Sequence, residues 1–85
     1  MNKPVIYADF NNADARGRLR LNCAGTMNDL ARQGISLRDG MQLILRDEEL
    51  EADGIAHYAS DDQLWVAVID WQKLRRQVRQ SSGQR

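Results

Sequence analysis

Cysteine occurs once in this chain, at Cys23, and proline, histidine and phenylalanine also occur once each. One cysteine closes no intramolecular bridge, which excludes a disulfide-stapled scaffold. One histidine, His57, with no second histidine or cysteine to join it, leaves a transition-metal centre short of ligands, so no metal is expected. Apolar residues never run to the ~18 positions a membrane-spanning helix needs, and the N-terminus has no charged-then-apolar leader. These absences lead to the expectation of a reduced, cytoplasmic protein with no membrane span. There is also no glycine-rich phosphate loop and no nucleophile motif, so neither a cofactor nor an enzymatic activity is expected.

The 85 residues are 42% hydrophobic and 28% charged, close to globular averages, which argues against disorder of the whole chain. A chain of this size forms one domain and buries roughly 60–65% of the surface it exposes when unfolded. We place that domain at residues 1–80 and a frayed tail at 81–85. Net charge is zero, yet it is unevenly laid out. Asp47, Glu48, Glu49, Glu51 and Asp53 crowd together, whereas Lys73, Arg75, Arg76, Arg79 and Arg85 follow Asp70 with no acid among them. Such blocks are solvated faces or partner-facing patches.

Periodicity supplies the fold. Val5 to Phe10 is β-branched and aromatic and ends at the turn-forming Asn11-Asn12, a first strand. Arg18 to Cys23 alternates, setting Leu19, Leu21 and Cys23 on one face and Arg18, Arg20 and Asn22 on the other. Thr26 and Asp29 resemble a capping box and Gly34 supplies a left-handed stop, giving a helix of about two turns. Met41, Leu43 and Leu45 alternate in a third strand, and the acids 47–53 form a solvated hairpin connection without the ligand order of a calcium loop. Gly54–Ala59 and Leu64–Ile69 pair across Ser60-Asp61-Asp62-Gln63. Asp70 then caps a closing helix with Trp71, Leu74 and Val78 on its docking face. The fold class is mainly β (α+β): a small antiparallel five-stranded β-barrel or curled sheet with one short inserted helix and a C-terminal helix. Leu21, Leu43, Val66 and Val68 are expected in its core.

Three features bear on function. Arg16, Arg18 and Arg20 recur every second residue, which on a strand aims three guanidinium groups from one face at intervals of about 6.6 Å, near the phosphate spacing of nucleic acid. The same pattern also keeps an exposed strand soluble. Trp65 and Trp71 are core residues or the anchors of an interaction surface. Cys23, His57 and a carboxylate such as Asp9 or Asp70 supply the residue types of a thiol nucleophile, base and orienter without the spacing of one, and Cys23 reads as a small buried hydrophobe.

The segment Asn28-Asp29-Leu30-Ala31-Arg32-Gln33-Gly34-Ile35-Ser36-Leu37, followed by Asp39-Gly40-Met41-Gln42-Leu43-Ile44-Leu45, resembles the Asp-x-Ser-x-x-Gly turn and the following Gly-containing strand of PilZ domains, small β-barrels that bind cyclic di-GMP. Ala31 stands at the family's serine, and Arg16-x-x-x-Arg20 resembles its arginine motif. The resemblance covers about a quarter of the chain and implies a nucleotide ligand held by Arg16, Arg18 and Arg20, with Asp29 and Gly34 shaping the adjacent turn. More loosely, the whole chain is similar to small bacterial families of its size, which imply no activity. Three readings follow, in order: a non-enzymatic binding or adaptor module for an unidentified protein partner, a nucleotide or nucleic-acid (anion) binder, and last a thiol-dependent enzyme resting only on Cys23 and His57. Oligomeric state is not encoded in any pattern here.

Overall fold

The computed structural model describes residues 3–76, so Val78, Arg79, Arg85 and the expected tail 81–85 lie outside the described residues. Its elements are β1 (Val5–Tyr7), β2 (Leu19–Arg20), α1 (Ala24–Gln33), β3 (Gln42–Arg46), β4 (Leu50–Ala59), β5 (Leu64–Ile69), a 3-10 turn (Trp71–Lys73) and β6 (Arg75–Arg76). They form one curled sheet, a half-barrel, in the order β1-β3-β4-β5-β2, with β6 also beside β4. No helix among the described residues is long and apolar enough to cross a membrane.

The meander β3-β4-β5 is antiparallel, with Leu43 opposite Gly54 and Ala56 opposite Ala67. The sheet as a whole is mixed, because β1 runs parallel to β3. A parallel neighbour needs a long crossover, and the 30-odd residues carrying β2 and α1 supply it. The first strand is also shorter than its β-prone sequence suggested. After Ala8 the chain turns, Asn12 N–H donating to Asp9 O at 2.9 Å, and then meets the opposite edge of the sheet. There Arg20 N–H donates to Asn12 O at 2.9 Å and Asp14 N–H to Arg18 O at 2.8 Å. One N-terminal segment therefore bonds to both margins of the half-barrel.

Alternation decides the faces. Ala52, Gly54 and Ala56 of β4 point inward, and their small volume makes room for Ile6, Leu19, Leu43 and Leu45, all fully buried. Gly54 does not mark a turn. A Cβ there would stand 2.7 Å from Leu45 Cδ1 and 2.9 Å from Ile69 Cγ2, so β4 runs straight through it. The acidic connection shrinks accordingly to Asp47–Glu49, where Asp47 Oδ1 accepts the N–H groups of Glu49 and Leu50 at 2.7 Å each. Of the four expected core residues Leu21, Leu43 and Val66 are buried, but Val68 is 46% exposed; Val66 and Val68 share the outer face of the sheet, opposite His57 and Ile55, and only the Val66 end of it is covered.

Among the described residues the start of the expected C-terminal helix is not helical beyond one turn. Asp70 does cap, accepting Gln72 N–H at 3.0 Å, but only for one 3-10 turn, after which Leu74 is extended and β6 pairs Arg75 with Glu51. Since Ile69 already faces Gly54, β5 and β6 are one strand interrupted by a long bulge. The bulge throws Trp71 across the sheet end, where its indole N–H donates to Gly17 O at 2.6 Å and its ring meets Phe10 edge-on at 6.3 Å.

Helix α1 is longer than expected and ends as Gly34 requires. Gly34 is left-handed (φ 67°), and Ile35 N–H donates to Leu30 O at 2.9 Å while Gly34 N–H donates to Ala31 O at 3.2 Å, the paired bonds of a Schellman stop.

Two substitutions test this packing. Leu43→Ala should cost about 2–4 kcal/mol in chemical denaturation. Gly25→Ala should also destabilise, by about 1–3 kcal/mol, although alanine favours helices, because its Cβ would lie 2.6 Å from Tyr7 Cδ2. A raised midpoint for Gly25→Ala would show that α1 is not seated against β1 as described.

Candidate functional site

Residues 12–20 form a self-contained turn around Asp14. Its Oδ1 accepts the N–H groups of Arg16 and Arg18 at 2.9 Å each, and its Oδ2 accepts Arg18 Nε at 2.7 Å. Burial pushes the Asp14 carboxyl up, but the Arg18 and Arg16 backbone donors and the Arg18 guanidinium together hold it below its ordinary value. Arg20 donates from Nη1 to Asn12 Oδ1 at 3.3 Å and to Ala13 O at 3.1 Å. The arginine ladder is thereby taken apart. The strand covers only Leu19–Arg20, not Arg18 to Cys23, so Arg16 sits in the turn, Arg18 is paired and Arg20 pins the neighbouring segment. Arg16 and Arg18 still line one small cleft of about 220 Å³ with His57, Ser60 and Asp61.

Asp29 and Gly34 lie elsewhere, on α1. Asp29 Oδ2 accepts Tyr7 N–H at 2.7 Å and its Oδ1 pairs with Arg32. Thr26, fully buried, donates to Tyr7 O at 2.7 Å, and Gln33 donates to Val5 O at 2.8 Å. Thr26 is thus not a cap. Thr26, Asp29 and Gln33 fall on one helical face and satisfy the backbone groups that β1 turns away from β3. The concavity lined by Asp29 and the one lined by Gly34 include none of the three arginines.

Cys23 is half-buried at the N-cap of α1, its Sγ 3.1 Å from Thr26 Oγ1. Because the Thr26 hydroxyl proton goes to Tyr7 O, the thiol is the donor of this contact. His57 stands on β4 with Nδ1 3.2 Å from Asp39 Oδ1, and no hydrogen bond links it to Cys23. No group of three or more His, Cys, Asp or Glu able to hold a metal ion occurs among the described residues.

The next face of α1 is apolar. Met27, Leu30, Ala31 and Gly34 line a groove of about 450 Å³ together with Ile35, Ser36 and Leu37 from the segment after the helix and with Leu21 and Trp65. No lining residue is charged, and Met27 is 54% exposed. Trp65 is fixed by an edge-on contact with Tyr58, ring centroids 5.3 Å apart. Trp71 is remote from this groove, in the Phe10–Gly17 cluster, so the two tryptophans do not share a surface. The sequence signals for the groove were the i, i+3, i+4, i+7 spacing of Met27, Leu30, Ala31 and Gly34 and the short apolar run Ile35–Leu37.

The separated acidic and basic blocks meet in the fold. Arg46 donates to Glu51 Oε1 at 3.0 Å, Arg75 donates to Glu51 Oε2 at 2.9 Å and reaches Asp53, and Lys3 lies 3.5 Å from Asp53. The Arg75 guanidinium, helped by Arg46 and opposed by burial, holds the Glu51 carboxyl below its ordinary value. Burial likewise opposes a lower Asp53 value, and Arg75 and Lys3 prevail. No protein-family model, curated protein or solved structure matches the chain.

Carboxyls with depressed folded values contribute stability above their unfolded values of about 4, and that contribution is lost as pH falls through the folded values. Arg75→Gln should therefore lower the melting temperature at about pH 7, and the gap to the parent should narrow progressively as pH falls below about 4. An unchanged gap across that range would mean that Glu51 and Asp53 do not hold β6.

Proposed function

We propose that the protein is a non-enzymatic, cytoplasmic binding module whose partner is another protein, received in the groove between α1 and Ile35–Leu37. The observation that supports this most is the groove's wholly uncharged lining, with Met27 exposed and Trp65 braced by Tyr58. Exposed apolar concavities of this kind favour one or two large apolar anchors, and an immobilised aromatic in the lining contributes strongly to such contacts. The partner segment is accordingly a short amphipathic peptide bearing leucine, methionine or phenylalanine at helical spacing. The reading needs no cofactor.

A second reading, anion or nucleotide binding, including the cyclic dinucleotide implied by the PilZ resemblance, is supported by one observation: Arg16, Arg18 and His57 line the same cleft. Arg18 is already satisfied by Asp14, which lowers its capacity for phosphate.

An amide-resonance NMR titration separates the two. Amphipathic peptides should shift Met27, Leu30, Ile35 and the Trp65 indole, with affinity nearly constant between about 50 and 300 mM salt, and Leu30→Glu should abolish the effect. Cyclic dinucleotide or RNA titrants that instead move Arg16, Arg18 and His57, with affinity falling steeply in salt, would overturn the protein-binding reading in favour of the second.

A further inference from the structure

The chain is tied down unevenly after β5. Through the bulge it is well held: the Trp71 indole N–H donates to Gly17 O at 2.6 Å, and Leu74 packs against the core cluster. Beyond Leu74 the two residues of β6 are both exposed, and β4 is the strand they pair with. Two ties hold them. One is the backbone pairing of Arg75 with Glu51 and of Arg76 with Leu50. The other is the Arg75 guanidinium, 2.9 Å from Glu51 Oε2 and 3.5 Å from Asp53 Oδ1. Both carboxylates keep a cation when Arg75 departs, because Arg46 donates to Glu51 Oε1 at 3.0 Å and Lys3 Nζ lies 3.5 Å from Asp53 Oδ1. Releasing Arg75 therefore leaves neither acid unpaired. The pairs that break lie at the surface, where ion pairs contribute little and are screened by salt.

We propose that β6 is a strap that opens from β4 by itself, hinged at Leu74, while the meander and the Trp71 bulge stay closed. Local openings occur below the free energy of global unfolding, and a two-residue strand with no buried side chain belongs among them. What the strap covers follows from the alternation of β4. Leu50 O accepts Asp47 N–H and Ala56 N–H donates to Met41 O, both on the β3 side, which turns the main-chain groups of Glu51 and Asp53 the other way, toward the β5–β6 side. Opening leaves that stretch of β4 as a short bare sheet margin, the kind of edge to which another strand can pair. No residue of the strap or its anchors lines the groove beside α1, so the strap stands or falls apart from the protein-binding reading.

Native-state hydrogen exchange of the full chain tests this through two amides of β4, Glu51 opposite Arg75 of the strap and Ile55 opposite Val68 of β5. At about 50 mM salt, after correction for intrinsic rates, Glu51 should exchange roughly tenfold or more faster than Ile55 and respond less to added denaturant, because opening the strap exposes little surface. Raising the salt to about 500 mM should speed Glu51 roughly threefold or more relative to Ile55. Arg75→Gln should reproduce that increase at low salt and remove most of the salt response. A Glu51 amide that exchanges at the rate of Ile55 and with its denaturant dependence overturns the proposal, since β6 then leaves only with the whole sheet. So does a ratio of the two rates that salt does not move in the unsubstituted chain, a result that needs no variant to fold.

Discussion

An edge strand whose unpaired N–H and C=O groups face a helix has to be satisfied by side chains or left exposed to other strands. In this protein β1 is that strand. Pro4 and Ala8 bond to β3, so Val5 and Tyr7 direct their backbone groups the other way, and Thr26, Asp29 and Gln33 of α1 answer them. Three polar side chains on one helical face do what a seventh strand would do. The helix is thereby fixed in position and rotation, and Gly25, with Tyr7 against its Cα, allows the close approach. Once that face is committed, Met27, Leu30 and Ala31 can only point toward Ile35 and Leu37. The groove proposed to bind a partner is a consequence of how the edge is closed, and its rigidity comes from the same bonds.

The second organising interaction is electrostatic and equally non-local. A chain with its acids at 47–53 and its bases after Asp70 carries a dipole in sequence, and the fold discharges it by laying β6 beside the start of β4. Glu51 then bridges Arg46 and Arg75, and Asp53 bridges Arg75 and Lys3. The bulge between β5 and β6 lets Ile69 and Arg75 both keep register with β4 while Trp71 swings out to hold the Gly17 turn. Within the two charge blocks Glu51, Asp53 and Arg75 form a clasp at the surface that holds β6 beside β4.

Sequence patterning was informative where a segment's structure follows from its own residues. Leu64–Ile69 and the four-residue turn before it, the alternating third strand and the Gly34 stop all lie where their spacing placed them, because each is set by local alternation or by one left-handed glycine. Readings failed where a distant neighbour decides. Gly54 looks like a turn residue, but Leu45 and Ile69 need its missing side chain. Trp71 and Leu74 match a helical period, but the indole bond to Gly17 and the pull of Arg75 on Glu51 draw the chain back into the sheet. Val5 to Phe10 cannot announce a parallel partner that depends on a crossover. Among the site residues, Arg16, Arg18 and Arg20 are regularly spaced, yet Asp14, four residues before Arg18, claims its guanidinium and bends the segment into a turn. Asp29 was singled out for a ligand-shaping turn, whereas its carboxylate faces the Tyr7 amide 22 residues away.

The claim on which both the edge closure and the groove rest is that Asp29 seals the Tyr7 amide, and native-state hydrogen exchange of that one proton tests it most directly. In the parent chain the Tyr7 amide should be protected to a degree comparable with Ile44, whose amide bonds to Pro4 across the β1–β3 pair. In Asp29→Ala the Tyr7 amide should lose protection selectively while Ile44 retains most of its own. A Tyr7 amide that exchanges freely in the parent, or one equally protected in parent and variant, would contradict the account.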